Sequence, residues 1–292
     1  MANNTALRLV PGRSGQPIPT TAARQPEEPA LIKTTCSTCK LRELCTPCCG
    51  LSRSEINDST RLLFARLRIR RGENLYLAGD RFTSLYAVRK GFLKTTAILA
   101  KGRDQVTGFS MTGEVLGMDG IEAQRHGCNT IALEDGEICA ISFARLQELT
   151  LAIPSLQRHF HAMMSREIVR EHGVMLLLGS MSAEERMTMF LLDFSRRFAA
   201  QGGTASEFNL RLTREDIGSY LSLTVGTVSR LFARFRESGL IAVRQKLVRI
   251  VDRGKLECVI GRSTRSGTAA TTGTKKRESH WTHCNDRVRF SK

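Results

Sequence analysis

The sequence predicts an α+β protein: an N-terminal β-roll, a long helix, and a C-terminal winged helix-turn-helix. Three observations predict it. Between about residues 60 and 150, short apolar runs alternate with glycines, as in "RRGENLYLAGD" and "SLYAVRKGFLKTTAIL". That is the pattern of many short antiparallel strands joined by turns. From Pro154 an amphipathic stretch runs to about residue 178, too long for a strand. Residues 212–235, "LTREDIGSYLSLTVGTVSRLFARF", then give two short amphipathic helices around a tight turn.

The elements follow in order. Residues 1–35 are rich in Pro, Thr, Ala and Gln and have no apolar period, so disorder is expected. Residues 36–49 form a cysteine-rich loop, and residues 50–150 the roll. The long helix occupies residues 151–180. On it Met164, Ile168, Glu171, Met175 and Leu178 recur at steps of 4, 3, 4 and 3, the spacing of a two-fold helical seam. A helix buried in its own domain would also show such a row; its regularity and length favour a dimer. Leu156, Phe160 and Met163 form a second row, expected to face the roll. Residues 181–258 form the winged helix-turn-helix domain, opening on Ser182 and Glu185 as a capping box. Residues 259–292 carry eight Lys or Arg against two Asp or Glu and no period, a disordered basic tail.

The helix-turn-helix points to DNA. Thr213 and Thr224 are placed to cap its two helices. Ile217, Leu221, Val228 and Leu231 are spaced to pin them together, and Gly218 is small where they approach. Gly226, Ser229, Arg230 and Ala233 share the outer face of the second helix. Arg230 is the candidate base reader, because its fork matches guanine O6 and N7. Ser229 can reach a base or a phosphate; Thr227, Arg214, Arg234 and Arg236 are better placed for phosphates. Residues 242–252 follow as a basic wing. Residues 213–256 hold nine Lys or Arg against four Asp or Glu.

The whole chain agrees with that. Its formal net charge is +16, which favours a polyanionic partner such as double-stranded DNA. No apolar run approaches the roughly 18 residues of a membrane span, and no secretion signal is present, so a cytoplasmic protein without a membrane partner is expected. No dinucleotide loop, flavin motif or nucleophile motif is present, which argues against an enzyme.

Nine cysteines are clustered rather than spread as a disulfide framework. In "CSTCKLRELCTPCC", Cys36, Cys39 and Cys45 have C-x2-C-x5-C spacing. Three soft thiolates, with a fourth that is local at Cys48 or Cys49 or else distant, suit an iron–sulfur cluster. Through Cys48 the same stretch would close a four-thiolate zinc site, and the residues alone leave both open.

The order of cysteine loop, β-roll, long helix and winged helix-turn-helix resembles the FNR branch of the cAMP receptor protein (CRP/FNR) superfamily of bacterial transcription regulators. The resemblance covers roughly residues 36–256. It rests on "CSTCKLRELC", "AGDRFTSLYAVRKG", "QVTGF", "ALEDGEICAI", "LLLGSMSAEERMTMFLLDFSRRFA" and "LTREDIGSYLSLTVGTVSRL". It implies a cyclic-nucleotide-binding-like roll and a [4Fe-4S] cluster on Cys36, Cys39, Cys45 and a roll cysteine. "ALEDGEICAI" matches the ligand strand, so Cys139 is expected rather than Cys128. Cys48 and Cys49 depart from the family loop and are read as spare thiols.

The resemblance further implies oxygen-responsive anaerobic gene expression: cluster-loaded homodimers bind a palindromic promoter site and contact RNA polymerase through roll loops, "LAKGRDQV" among them. A nitric oxide or redox signal, or a zinc-stapled DNA-binding protein, are the alternatives. No cyclic nucleotide is expected. His126 and Gly127 stand where an arginine and a small hydroxyl residue would hold its phosphate, and Arg125 is one place out of register. Glu171 implies repulsion across the seam in the cluster-free form. Two departures are noted. Gly226 replaces the glutamate of the family's E-x-x-S-R, which predicts relaxed discrimination beside the Arg230–guanine contact. Ser222 replaces the usual turn glycine and is costly if its φ is positive.

Overall fold

The structure, a computed structural model, describes residues 64–99 and 103–261. Cys36, Cys39, Cys45, Cys48, Cys49 and Cys284, the N-terminal segment, the loop around Gly102 and the tail from residue 262 lie outside the described residues. The chain divides into two units between Arg166 and Glu167.

In the first unit, eight strands form two four-stranded antiparallel sheets. One has the order β1 (Phe64–Ile69), β8 (Gly136–Ser142), β3 (Ser84–Lys90), β6 (Val115–Leu116). The other has the order β2 (Asn74–Tyr76), β7 (Asn129–Ala132), β4 (Phe92–Leu99), β5 (Arg103–Met111). Alternation along the strands builds two cores. Ile69, Val88, Leu116 and Ile138 of the first sheet meet Tyr76, Leu93 and Ala132 of the second. The opposite face of the first sheet carries Leu85, Ala87 and Ile141, which pack with Phe82, with Phe143 and Leu146 of α1 (Phe143–Ala152), and with Leu156 of α2 (Pro154–Ser180). Phe160 of α2 also packs on this cluster, and Met163 is buried. The row expected to face the roll does so at Leu156 and Phe160. α1 is a finding: the sequence reading ran the roll to residue 150.

α2 spans 27 residues and continues into the second unit. There α3 (Ala183–Ala200) begins at Ser182, whose hydroxyl and backbone N–H complete a capping box with Glu185. β9 (Glu207–Asn209), α4 (Arg214–Leu221), α5 (Val225–Glu237), β10 (Ile241–Arg244), β11 (Leu247–Ile250) and α6 (Arg253–Glu257) follow. The wing is a three-stranded sheet of order β10-β11-β9, so the hairpin has a partner strand that the sequence did not reveal. Phe190, Leu191, Phe194, Ile217, Leu221, Val228 and Phe235 are fully buried. Cys258–Gly261 form a 3₁₀ turn, so residues 259–261, expected in the tail, are helical. No helix of the described residues is long and apolar enough to cross a membrane.

Candidate nucleic-acid interface and sensor residues

The helix-turn-helix is held by local chemistry first. The Thr213 hydroxyl accepts from Asp216 N–H at 3.0 Å, while the Asp216 carboxylate accepts from Thr213 N–H at 3.0 Å and from its hydroxyl at 2.7 Å. Thr224 Oγ1 accepts from Thr227 N–H at 3.1 Å, opening α5. Between the helices, Ser222 has φ 53° and ψ 46°, the left-handed conformation. A Cβ on Gly218 would lie 2.6 Å from the Leu223 carbonyl oxygen. The close approach that demands glycine is therefore to the turn, with α5 behind it at Val228.

α5 presents Gly226, Ser229 and Arg230 to solvent on one face. Arg230 donates to Thr227 Oγ1 at 3.4 Å, which leaves most of its fork unengaged. Val225, at the helix start, is 48% exposed, an apolar group on the same end of the helix that the sequence reading did not single out. Gly226 is open: an added Cβ would meet only Thr224 Oγ1, at 3.9 Å.

Two of the arginines expected to contact phosphate have protein partners. The Arg214 guanidinium stacks on the Phe232 ring at 3.4 Å from its centroid. Burial there draws its pKa down from the ordinary arginine value. It remains a cation, and a stacked guanidinium keeps its N–H edge for an anion. Arg234 pairs with Glu184 at the start of α3. That pair is solvent-exposed and weak, so a phosphate can compete for it.

Along α2, Ile168, Glu171 and Met175 are exposed, and Met164 and Leu178 half-buried. The adjacent row adds Val169 and Leu176, 66% and 65% exposed, which the sequence reading missed. α2 is thus apolar on more than one side, with Glu171 in the Ile168–Met175 row.

Cys139 stands on β8, opposite Arg66 of β1 and Ala87 of β3. Its half-buried side chain borders the cluster that holds Leu156 and Phe160 of α2. Beside it the Glu137 carboxylate pairs with Arg66, and lies 3.6 Å from Arg89. The Arg66 hydrogen bond holds the Glu137 carboxyl below the usual carboxylate range.

Cys128, His126 and Asp119 come together on the other side of the roll. The His126 ring is 2% exposed and stacks on Tyr76 with centroids 3.7 Å apart. Its Nδ1 lies 3.6 Å from Asp119 Oδ2, ion-pair rather than hydrogen-bond distance. The same oxygen accepts from Gly127 N–H at 2.8 Å and from the Cys128 thiol at 3.1 Å. Burial pushes the Asp119 carboxyl up, but these neighbours outweigh it and hold it below the ordinary value. Burial raises Tyr76 far above a normal phenol.

Known proteins place this architecture. Residues 66–152 match the cyclic nucleotide-binding domain, and residues 185–259 the Crp-like helix-turn-helix domain. The chain is 42% identical over 229 residues to the transcriptional regulatory protein btr of Bordetella pertussis, covering 78% of this chain and 94% of that protein. It is 40% identical over 228 residues to the transcriptional activator protein Anr of Pseudomonas protegens, covering 78% and 93%. It is 38% identical over 226 residues to the fumarate and nitrate reduction regulatory protein of Salmonella typhimurium, covering 77% and 90%. Among solved structures, FixK2 from Bradyrhizobium japonicum is similar with a TM-score of 0.61 at 27% identity, over 67% of this chain and 96% of that one. With its relatives transcription regulators rather than enzymes, the chain belongs to the FNR branch of the CRP/FNR superfamily of DNA-binding transcription regulators.

Proposed function

We propose that the chain is an oxygen-responsive regulator of anaerobic gene expression, working in the cytoplasm. In this reading it holds a [4Fe-4S] cluster on Cys36, Cys39, Cys45 and Cys139. It dimerises along Met164, Ile168, Glu171, Met175 and Leu178 when the cluster is intact. It then binds a palindromic promoter site through Arg230 and Ser229 and contacts RNA polymerase.

One observation carries the reading. Cys139 borders the same apolar cluster that anchors the first half of α2 through Leu156 and Phe160. A change at this thiol therefore acts on the packing of the long helix. The residue also fits the group. A thiol is a soft donor suited to iron–sulfur, its backbone is fixed between two strands, and its side chain is only half-buried. Among the described residues no group of three His, Cys, Asp or Glu is arranged to hold a metal ion, and the reading draws the other three ligands from residues 36–45. When bound, the cluster supplies an oxygen-labile link between the N-terminal cysteines and β8.

The chain's own residues then set the balance. Exposed Ile168 and Met175 favour association. Glu171 would approach its symmetry mate, and paired carboxylates repel. A few kcal/mol of differential packing shifts such a poised equilibrium. On DNA, Arg230 reads guanine, Ser229 reaches a base or phosphate, Gly226 leaves the neighbouring base pair without a carboxylate partner, and Thr227, Arg214 and Arg234 line the backbone contacts. The roll is read as taking no cyclic nucleotide. Asp119 puts a carboxylate beside the Gly127 N–H and occupies that donor, which disfavours a phosphate there.

Anaerobic purification tests the proposal. Wild type should be brown, dimeric and DNA-binding, and should bleach and dissociate in air. C139S should hold no oxygen-labile absorbance, and E171A should stay dimeric and bind DNA in air. A colourless protein carrying one zinc would sink the cluster reading. A monomeric, inactive aerobic E171A would sink the seam. Bleaching by nitric oxide but not by air would move the signal from oxygen to nitric oxide.

A further inference from the structure

The first turn of α3 gathers contacts from three other helices of the second unit. Arg186 donates to three carbonyl oxygens: Nε to Met181 at 2.9 Å, Nη2 to Leu178 at 2.9 Å, and Nη1 to Leu221 at 3.1 Å. Leu178 lies in the last turn of α2, and Leu221 is the last residue of α4. Carbonyls at helix ends have no partner within their own helix and carry the negative end of the helix dipole. One planar, permanently charged fork thus closes two helix ends at once, which an ammonium on a flexible stem does less well.

Neighbouring contacts run the same way. Glu184, two residues before Arg186, pairs with Arg234 of α5. Tyr220, the residue before Leu221, packs against Phe190 of α3 with the rings tilted and their centroids 6.0 Å apart. Burial raises its phenol above the ordinary value, and Arg170 and Glu167 of α2 and Asp193 and Arg197 of α3 act on it electrostatically. Arg186 joins α2 from Glu167 onward to the helix-turn-helix by direct hydrogen bonds to both helix ends.

We propose that Arg186 is a positioning residue for DNA recognition: it bolts the end of α2 to the end of α4, so that the recognition helix turns with the second half of the long helix. Ser222 and the turn follow Leu221 directly, so fixing the Leu221 carbonyl fixes where α5 starts. This rests on the dimer reading above for its use. Two copies paired along Ile168, Glu171 and Met175 would hold their two recognition helices at a set separation only if each is tied to its own seam.

The test uses the full chain, purified anaerobically, as wild type, R186Q and R186K. Hydrogen exchange is followed at residues 176–182 and 218–223. Affinity is measured for a palindromic duplex and for a single half-site, both selected from random DNA, and the dimer constant by sedimentation. R186Q should speed exchange in both segments together, by tenfold or more. Its dimer constant and half-site affinity should stay within twofold of wild type, while palindrome affinity falls at least tenfold. R186K should fall between, and it carries the test if Gln unfolds the unit. Unchanged palindrome affinity, or an equal loss on the half-site, overturns the proposal; the second outcome would make Arg186 a plain stability residue. If wild type is monomeric throughout, the seam reading fails, and exchange alone decides. Acceleration of only one segment, or of neither, then overturns the coupling.

Discussion

Replacing Ser222 with glycine should stabilise the DNA-binding unit. Ser222 sits at φ 53° and ψ 46° directly after α4. An L residue in that region gives up roughly 1–2 kcal/mol against a right-handed one. Glycine removes this penalty but adds about 0.5–1 kcal/mol of unfolded-state entropy. Ser222 is exposed, so little packing is lost. The net gain is therefore about 0.5–1 kcal/mol. For a unit of this size that is a rise in Tm of roughly 3–6 °C. Thermal unfolding of the full chain, followed through the transition of the second unit, reads it. The bond from Ser222 N–H to the Ser219 carbonyl is a backbone contact and survives the change. Half-site DNA affinity should stay within about twofold for the same reason. A Tm that falls, or does not move, would refute the argument that the left-handed turn stores strain here.

Three further outcomes are expected. Gly226→Glu meets no obstacle beyond Thr224 Oγ1; it should add about 1 kcal/mol of stability and sharpen selection at the base pair beside the Arg230 contact, and equal stringency in half-sites selected by both proteins would contradict this. Asp119 is held below its ordinary pKa in the folded state, so its contribution is present above the unfolded value and is lost as pH falls through the folded one. The roll of Asp119→Asn should therefore lose less Tm than wild type on acidification below about pH 5, and parallel acid limbs would argue against it. Thr213→Ala removes a cap and strands Asp216; it should cost roughly 1–2 kcal/mol, seen as a lower denaturant midpoint at unchanged slope.

What the sequence made legible was what is local. Thr213, Thr224 and Ser182 were readable as caps because each answers to a residue three places on. Ile217, Leu221, Val228 and Leu231 were readable because a helix face repeats over one or two turns. The turn strain at Ser222 followed from one missing glycine. The parts that escaped join distant residues. Glu184 meets Arg234 across 50 residues and Arg186 meets Leu221 across 35; no pattern within a window signals either. Arg214 looked like a plain surface cation because nothing near it in sequence reveals Phe232 beneath it. β9 is three residues long, too short to show a period. Val169 and Leu176 were passed over because α2 is apolar on more than one side, and only burial separates its faces.

The apolar face of α2 bears on the lifetime of the protein as well as on its pairing. In a single chain, Ile168, Val169, Met175 and Leu176 are all more than half exposed on one helix. Exposed apolar groups of this kind are what aggregation and quality-control proteases act upon. On the proposed mechanism Ile168 and Met175 are covered in the active dimer and uncovered in the inactive monomer. The off state would then be the shorter-lived one, so that prolonged aeration lowers the amount of regulator and not only its occupancy on DNA.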